Sequence, residues 1–287
     1  MKFCDLHTHS TFSDGSKTPR EIVRMAKEIG LSAVALTDHN NAAGLEEFMR
    51  AGEEFGVETV AGCEFSTDYR IEGREKPVEL HIVGLFFPRE HWVQIADYVK
   101  LALLSKEKAN RRMIEKLCAA GYAVTFEEAA AKTDSAIFNR AHVAQVLVDK
   151  GYAGSVKEAF DGVLKEGNGF YVPAERLSVF TTIRFIGMYG GKAVLAHPFL
   201  NLTYEQLRVF LPAAKNEGLV GVETHYSEFD EEQTAAAEEL ARTFGLLESG
   251  GSDYHGDAKP GIALGTGRGK LAVPYEFCQR LRAGRRY

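Results

Sequence analysis

Short apolar runs recur along the chain and alternate with longer segments whose apolar residues follow helical spacing. Seven of the short runs have the length and residue types of buried strands: residues 2–6, 33–37, 58–65, 78–87, 192–196, 220–224 and 247–252. Strands that mostly alternate with helices build a parallel sheet with the helices outside it. The pattern therefore predicts an α/β fold, either a closed barrel or an open doubly wound sheet.

Capping residues mark the predicted helix boundaries. Thr18-Pro-Arg-Glu21 combines a capping box with proline at the first helical position. Gly56 and Gly245 follow the helical segments 42–55 and 231–244, and we expect both glycines to end those helices.

The strand–helix alternation stops between the fourth and fifth strands. The segment that follows has helical periodicity and carries capping boxes that begin at Thr125 and Ser155. We therefore expect a barrel formed by residues 1–99 and 181–287, with an all-helical insertion over residues 100–180. An insertion at this point of a barrel is expected to lie over the carboxyl ends of the strands.

Composition and charge narrow the class of protein. The 287 residues are 45% apolar and 26% charged, as in ordinary soluble globular enzymes. The net charge of -6 provides no basic field for wrapping duplex DNA, although bound metal ions would still permit a small anionic substrate. Four cysteines without a CxxC pair, no signal segment and no membrane-spanning apolar run predict a cytoplasmic protein with no membrane partner.

Histidines and carboxylates collect at the ends of the predicted strands. Most of them close a strand, whereas Asp14 lies in the loop after the first strand and His81 lies within the fourth. The candidates for metal binding are His7, His9, Asp14, His39, Glu64, His81, His197, Asp253 and His255.

The placement of these residues predicts a metal site. The carboxyl ends of parallel strands face the same way, and residues two apart on a strand, such as His7 and His9, share a face. Chance clustering of six histidines and three carboxylates is a poor explanation. Imidazole and carboxylate ligands without thiolate suit Zn²⁺, Mn²⁺ or Fe²⁺, and so many ligands indicate two or three ions.

Other polar residues near strand ends have less specific signals. Glu223 ends the sixth strand and either faces the site or orients one of its ligands. Asp5 and Asp38 precede candidate ligands and either orient a ring nitrogen or point away. His91 and His225 match no ligand pattern, so surface or packing roles are expected.

Arg140-Ala-His142 lies in the helical insertion and has two interpretations. One is a solvated helix face. The other is a phosphate clamp, because arginine binds phosphate in a bidentate manner. Arg140 and His142 are therefore candidate substrate-binding residues.

The chain resembles the PHP (polymerase and histidinol phosphatase) family over nearly its whole length. The resemblance depends on these segments: Asp5-Leu-His-Thr-His-Ser, Ser13-Asp-Gly15, Leu36-Thr-Asp-His39, Glu64, His81, Ala196-His-Pro198 and Gly251-Ser-Asp-Tyr-His255. It implies a distorted seven-stranded (β/α)7 TIM-like barrel that holds a trinuclear metal site. It also implies that the nine candidates above are the ligands and that Glu64 bridges two ions, while Asp14 occupies a place where some members have histidine.

The resemblance further implies a metal-dependent phosphoesterase. The insertion and Arg140-Ala-His142 resemble the subgroup that acts on nucleoside 3',5'-bisphosphates and trims RNA 5' ends. We expect hydrolysis of phosphate monoesters of nucleotides such as these bisphosphates or AMP, with Arg140 stabilising the phosphoryl oxygens. Asp253 and His197 are both candidates for the proton donor, and the sequence does not choose between them.

Three other functions compete with this hypothesis. A phosphatase of the histidinol-phosphate type would use the same site. An amidohydrolase-like C–N hydrolase usually needs a metal-bridging lysine, and no lysine ends a predicted strand. A non-catalytic polymerase-associated module often has a degraded site, whereas the ligand set here is complete.

Overall fold

The computed structural model describes residues 2–132, 138, 140–165, 167–171, 174 and 177–284. In these ranges the strands are β1 (Phe3–Asp5), β2 (Ala33–Leu36), β3 (Glu58–Tyr69), β4 (Val78–Leu85), β5 (Leu177–Ser178), β6 (Lys192–Leu195), β7 (Leu219–Tyr226), β8 (Leu247–Gly251) and β9 (Val273–Pro274). The helices are α1 (Pro19–Glu28), α2 (Leu45–Phe55), α3 (Trp92–Ala119), α4 (Phe126–Ala130), α5 (Arg140–Asp149), α6 (Val156–Asp161), α7 (Val179–Met188), α8 (Tyr204–Asn216), α9 (Glu231–Phe244) and α10 (Tyr275–Ala283).

The described strands form one sheet that bends back on itself. Its continuous order is β8-β7-β6-β4-β3-β2-β1-β9, and β5 pairs with β3. Hydrogen bonds from Leu6 N to Gly250 O (3.1 Å) and from Asp253 N to His7 O (2.8 Å) join the first and last parts of this order. The result is a nearly closed barrel of eight strands with mixed α/β structure, and the predicted count of seven strands is not confirmed.

The predicted all-parallel arrangement is wrong at β4. This strand runs antiparallel to both β3 and β6. The segment between β3 and β4 is too short for a crossover helix, and adjacent strands joined by a short connection pair as a hairpin. The alternation of strands and helices elsewhere in the chain predicted parallel pairing, so the reversal of β4 was not predicted.

The capping signals in the sequence act largely as predicted. Thr18 accepts a hydrogen bond from Glu21 N while the Glu21 side chain accepts one from Thr18 N, and Thr125 has the same capping box. Gly245 ends α9 in the left-handed conformation at φ 70°. Ser155 caps α6, but Glu158 accepts from Gly154 N, so the reciprocal half of that capping box is absent.

The barrel strands are buried on both faces. Val34 and Leu36 belong to the apolar layer beneath the surrounding helices, whereas the alternating residues Ala33 and Ala35 belong to a second cluster. That second cluster also contains Phe277, Cys278 and Leu281 of α10. Because successive side chains point to opposite faces of a strand, this second cluster fills the barrel interior.

The chain divides into two compact units, residues 1–99 with 177–287, and residues 100–176. The second unit is helical and has its own core, which includes Met113, Leu117 and Val143. Among the described helices, none combines the length and the apolar character needed to cross a membrane.

Candidate metal centre

The barrel brings all nine candidate ligands of the sequence analysis together. His7 and His9 follow β1, His39 follows β2, and Glu64 lies within β3. His81 lies within the reversed strand β4 rather than at a strand end. The remaining candidates lie on the loops after β1, β6 and β8: Asp14, His197, Asp253 and His255.

Glu64 is the centre of this cluster and is fully buried. Its Oε2 atom lies 3.2 Å from His7 Nε2, 3.2 Å from His9 Nε2 and 3.0 Å from His39 Nδ1. Its Oε1 atom lies 2.8 Å from His81 Nδ1 and 3.1 Å from His197 Nε2. The two oxygens of one carboxylate therefore face two separate groups of histidines.

Two further carboxylates extend the cluster. Asp253 Oδ1 lies 3.2 Å from His9 Nε2 and 3.4 Å from His255 Nδ1. Asp14 Oδ1 lies 3.2 Å from His255 Nε2, and Asp14 Oδ2 lies 3.8 Å from His39 Nε2. Three groups result in which potential ligand atoms lie within 4.8 Å of one another: His7, His9, Glu64 and Asp253; His39, Glu64 and His81; and His9, Asp14, His39 and His255.

The residues at this centre fit bound cations. His7 Nε2, His9 Nε2, His39 Nδ1 and Glu64 Oε2 are buried without a hydrogen-bond partner, although the three nitrogens surround the one oxygen at 3.0–3.2 Å. Buried polar atoms without partners are costly in a folded protein. A metal ion among these lone pairs would satisfy them all, and imidazole with carboxylate is a ligand set for Zn²⁺, Mn²⁺ and Fe²⁺.

The charges of the centre keep its carboxylates ionised. Burial alone would raise the pKa of the Glu64 carboxyl, but the adjacent rings of His39 and His7 hold this pKa well below its usual range. Burial opposes ionisation of Asp253 as well, and the charge of His7 with a hydrogen bond from His9 lowers the pKa of its carboxyl. Ionised carboxylates are the form in which these residues bind cations.

Glu223 contacts the second nitrogen of a candidate ligand, in agreement with one of the two roles that the sequence left open. Its Oε1 lies 3.1 Å from His7 Nδ1, and its Oε2 accepts a hydrogen bond from His197 N at 2.7 Å. A carboxylate on the second ring nitrogen fixes the orientation of a ligand histidine. Glu223 therefore aims His7 Nε2 at Glu64.

Asp5 and Asp38 point away from the histidine rings and anchor the backbone of the loops. Asp38 Oδ1 accepts hydrogen bonds from Ser10 N (2.7 Å) and Ser13 Oγ (2.6 Å). Asp5 Oδ1 accepts from Ser252 N (2.9 Å), and Asp5 Oδ2 accepts from Gly265 N (2.8 Å). These two aspartates position the loops that carry the candidate ligands.

Unusual backbone conformations occur beside the cluster. His197 has φ 27° and Asp253 has φ 54°, in the left-handed region that non-glycine residues rarely adopt. A Cβ atom at Gly251 would lie 2.4 Å from His7 Cβ, so only glycine permits this close approach. Strained and crowded backbone of this kind is common at functional sites.

The sequence analysis missed two residues near Asp253. Tyr226 donates a hydrogen bond to Asp253 Oδ2 at 3.0 Å, and Lys259 Nζ donates to the same oxygen at 2.7 Å. Strand alternation would have placed Tyr226 on the face opposite Glu223. A register shift in β7 between Glu223 and His225 brings Tyr226 to the side of Glu223.

The other sequence candidates lie elsewhere in the chain. Arg140 begins α5 of the helical unit, where its guanidinium lies 4.8 Å from the ring centroid of Phe160 and 4.3 Å from that of Tyr171. His142 follows on the same helix. His91 packs against Tyr189 and His225 against Phe277, with 5.3 Å and 5.2 Å between ring centroids. His225 also forms a group with Glu238 and Glu248 in which potential ligand atoms lie within 4.8 Å of one another.

Comparisons with known proteins agree with this geometry. The sequence model of the PHP domain matches residues 5–177, more than half of the chain. A 5'-3' exoribonuclease of Haemophilus influenzae is 36% identical over 88% of this chain and 89% of its own length. A 3',5'-nucleoside bisphosphate phosphatase of Chromobacterium violaceum is 32% identical over 92% of this chain and 91% of its own length.

A solved structure has the same fold over the whole chain. It is that of a candidate metal-dependent phosphoesterase from Bifidobacterium adolescentis, with a TM-score of 0.71 and 27% identity over 100% of this chain and 97% of its own. Fold, site and relatives together define a metal-dependent hydrolase of phosphate esters. The chain belongs to the PHP domain family.

Proposed function

We propose that this chain hydrolyses phosphate monoesters of nucleotides, such as nucleoside 3',5'-bisphosphates or AMP, with two or three bound divalent ions. The observation that carries the proposal is the arrangement around Glu64. Three unpartnered histidine nitrogens surround Oε2, while His81 and His197 face Oε1. Such a carboxylate suits a bridge between two cations, the arrangement used by many phosphoesterases.

Each group of the centre would hold one ion. His7, His9 and Asp253 would bind beside Oε2 of Glu64. His81 and His197 would bind beside Oε1. The proposed third group consists of Asp14, His39 and His255. The two histidines lie on either oxygen of the Asp14 carboxylate. Mn²⁺, Fe²⁺ and Zn²⁺ all suit these donors.

The ions would supply Lewis acidity and an activated water when bound. The residues of the chain orient the substrate and move protons. We propose Asp253 or His197 as the donor of a proton to the leaving oxygen.

Arg140 and His142 are the proposed substrate contacts from the helical unit. The Arg140 guanidinium lies 4.8 Å from the ring centroid of Phe160 and 4.3 Å from that of Tyr171. A guanidinium is suited to bidentate binding of a phosphate group, and its charge would stabilise the transition state. Small phosphorylated nucleosides are the proposed substrates rather than duplex nucleic acid.

A second candidate substrate is the phosphorylated 5' end of a short RNA. The similarity to the exoribonuclease of Haemophilus influenzae supports it. The metal centre would serve both substrates, because each presents a phosphoester next to a nucleoside.

A phosphoester panel tests the proposed function. The purified chain is loaded separately with Mn²⁺, Fe²⁺, Zn²⁺ or Mg²⁺, and kcat/KM is measured for AMP, adenosine 3',5'-bisphosphate, histidinol phosphate, an aryl phosphate and a 5'-phosphorylated RNA. We expect the highest kcat/KM with a nucleotide. A higher value with histidinol phosphate, release of ammonia from nucleosides instead of phosphate, or no turnover with any metal would contradict the proposal.

A further inference from the structure

Asp253 has a second set of contacts through its other carboxylate oxygen. Its Oδ1 atom faces His9 Nε2 at 3.2 Å. Its Oδ2 atom accepts hydrogen bonds from Tyr226 and from Lys259. The carboxylate of Asp253 therefore links the candidate metal centre to a positive charge.

The position of Lys259 sets it apart from the other cations. Of the ion pairs that lysine and arginine form in the described residues, the pair of Lys259 with Asp253 is the one whose carboxylate is a candidate metal ligand. The Lys259 ammonium also lies 3.4 Å from Tyr226 Oη and 5.8 Å from the centroid of the Tyr226 ring. These contacts hold the ammonium in place, while 32% of the side chain is exposed to solvent.

The described contacts of the Lys259 ammonium leave one of its hydrogens available for a further hydrogen bond. An ammonium has three hydrogens to donate. The described contacts use two of them, one to Asp253 and one to Tyr226. A third can be donated to a ligand that reaches the exposed part of the side chain.

We propose that Lys259 is a substrate-binding residue whose ammonium donates a hydrogen bond to a phosphoryl oxygen. The inference rests on the proposed function, because it concerns the phosphate held at the same centre. A phosphate dianion bound at the metal-loaded centre is attracted by the cations around it, and the Lys259 ammonium would add a charge-assisted hydrogen bond to that attraction. Since lysine acts as a point charge, it would recognise the phosphate group and not the nucleoside.

A purely positioning role makes a different prediction. If Lys259 acted only by holding Asp253, Tyr226 would share that role, since both donate to the same oxygen. Tyr226→Phe removes one donor but keeps the ammonium. The two substitutions therefore separate contact with phosphate from support of Asp253.

Calorimetric titration of the metal-loaded protein with inorganic phosphate provides the test. Lys259→Met is expected to weaken phosphate binding by about 10-fold or more, the effect of losing a charge-assisted hydrogen bond, with metal content unchanged. Tyr226→Phe is expected to weaken it far less. The matched control is Lys17→Met, because Lys17 is 31% exposed and pairs with Asp257 at 3.0 Å, outside the cluster. We expect this control to bind phosphate as the unmodified protein does.

Two outcomes would overturn the inference. One is an unchanged phosphate Kd in Lys259→Met. The other is an equal loss of phosphate binding and of metal in Lys259→Met and Tyr226→Phe, which would reduce Lys259 to support of Asp253. Neither outcome depends on which ester is hydrolysed. A protein that fails the phosphoester panel but shows Lys259-dependent phosphate binding would lose the proposed substrate and keep this inference.

Discussion

Nε2 of His197 lies 3.1 Å from Oε1 of Glu64, although 133 positions separate the two residues in the chain. The same carboxylate faces His7, His9 and His39 through its other oxygen. One fully buried side chain therefore joins both halves of the candidate metal centre, and its removal affects both.

Glu64→Gln is expected to remove metal and activity together. The amide keeps the size of the side chain but loses the charge, and the nitrogen that replaces one oxygen does not bind a cation. We expect kcat/KM to fall by about 100-fold or more, with a parallel loss of metal in elemental analysis. Glu58→Gln, on the same strand but paired with Tyr275, Cys278 and Arg282, is the control for metal content. Near-normal turnover in Glu64→Gln would show that Glu64 is not the bridge.

Glu223→Gln is expected to weaken metal binding without abolishing it. Glu223 contacts the second nitrogen of His7 and the backbone of His197, so its loss loosens ligands instead of deleting one. Removal of such supporting carboxylates typically lowers metal affinity by about 10–100-fold. Titration with Mn²⁺ against a competing chelator measures the affinity, and Glu58→Gln on β3, where Glu58 pairs with Tyr275 and Arg282, is the matched control. Equal affinities for the two variants would be evidence against a supporting role.

Metal removal is expected to destabilise the barrel. Ions that bind only the folded chain stabilise it by about 2.7 kcal/mol at a free concentration 100 times Kd, so Tm should rise by about 5 °C or more on loading. Differential scanning calorimetry before and after chelation checks this.

Elemental analysis should return two or three ions per chain. Fewer than one ion after reconstitution would contradict the metal centre itself.

The sequence predicted the site better than it predicted the path of the chain through the sheet. His7, His9 and the other candidate ligands are recognisable because clustered ionisable residues at the ends of buried apolar strands indicate a functional site. The reversal of β4 follows from the short connection after β3, which extends to Tyr69, whereas the sequence pattern ended this strand at residue 65 and made the connection longer. Tyr226 reaches the site through a register shift in β7, and Lys259 comes from a loop, so neither carries a periodic signal.

Arg140→Ala is expected to lower kcat/KM for a nucleotide by about 100-fold and leave metal content unchanged, if the guanidinium stabilises the transition state. A packing role in the helical unit would give a different pattern. Arg111→Ala is the matched control, because Arg111 lies 4.1 Å from the ring centroid of Phe126 in the same unit. Similar loss of thermal stability in both variants, with unchanged kinetics in Arg140→Ala, would remove Arg140 from the proposed site.

Alkaline pH is expected to destabilise the interior cluster that contains Cys278. Burial, reinforced by the charge of Glu58, raises the pKa of the Cys278 thiol from 9.0 to about 12. The folded state then holds this proton more tightly than the unfolded state. The stabilisation is complete below pH 9 and is lost as the pH rises from 9 towards 12.

Urea unfolding at pH 8 and at pH 10.5 measures this effect. Cys278→Ala should show a smaller decrease in the free energy of unfolding between the two pH values than the unmodified chain. Cys118→Ala, which removes an exposed thiol, should keep the full decrease. Identical decreases in all three proteins would show that Cys278 does not contribute to the alkaline instability.

Closure of the barrel between Leu6 and Gly250 sets the order in which the centre can be assembled. His7 and His9 precede Asp253 and His255 in the chain and are therefore synthesised first. Bringing such distant segments together carries a loop-closure cost in entropy, and folds that depend on contacts of this kind form slowly. A ribosome-bound chain in which His255 has not yet been synthesised cannot present the full ligand set, so the complete metal centre forms only after that point.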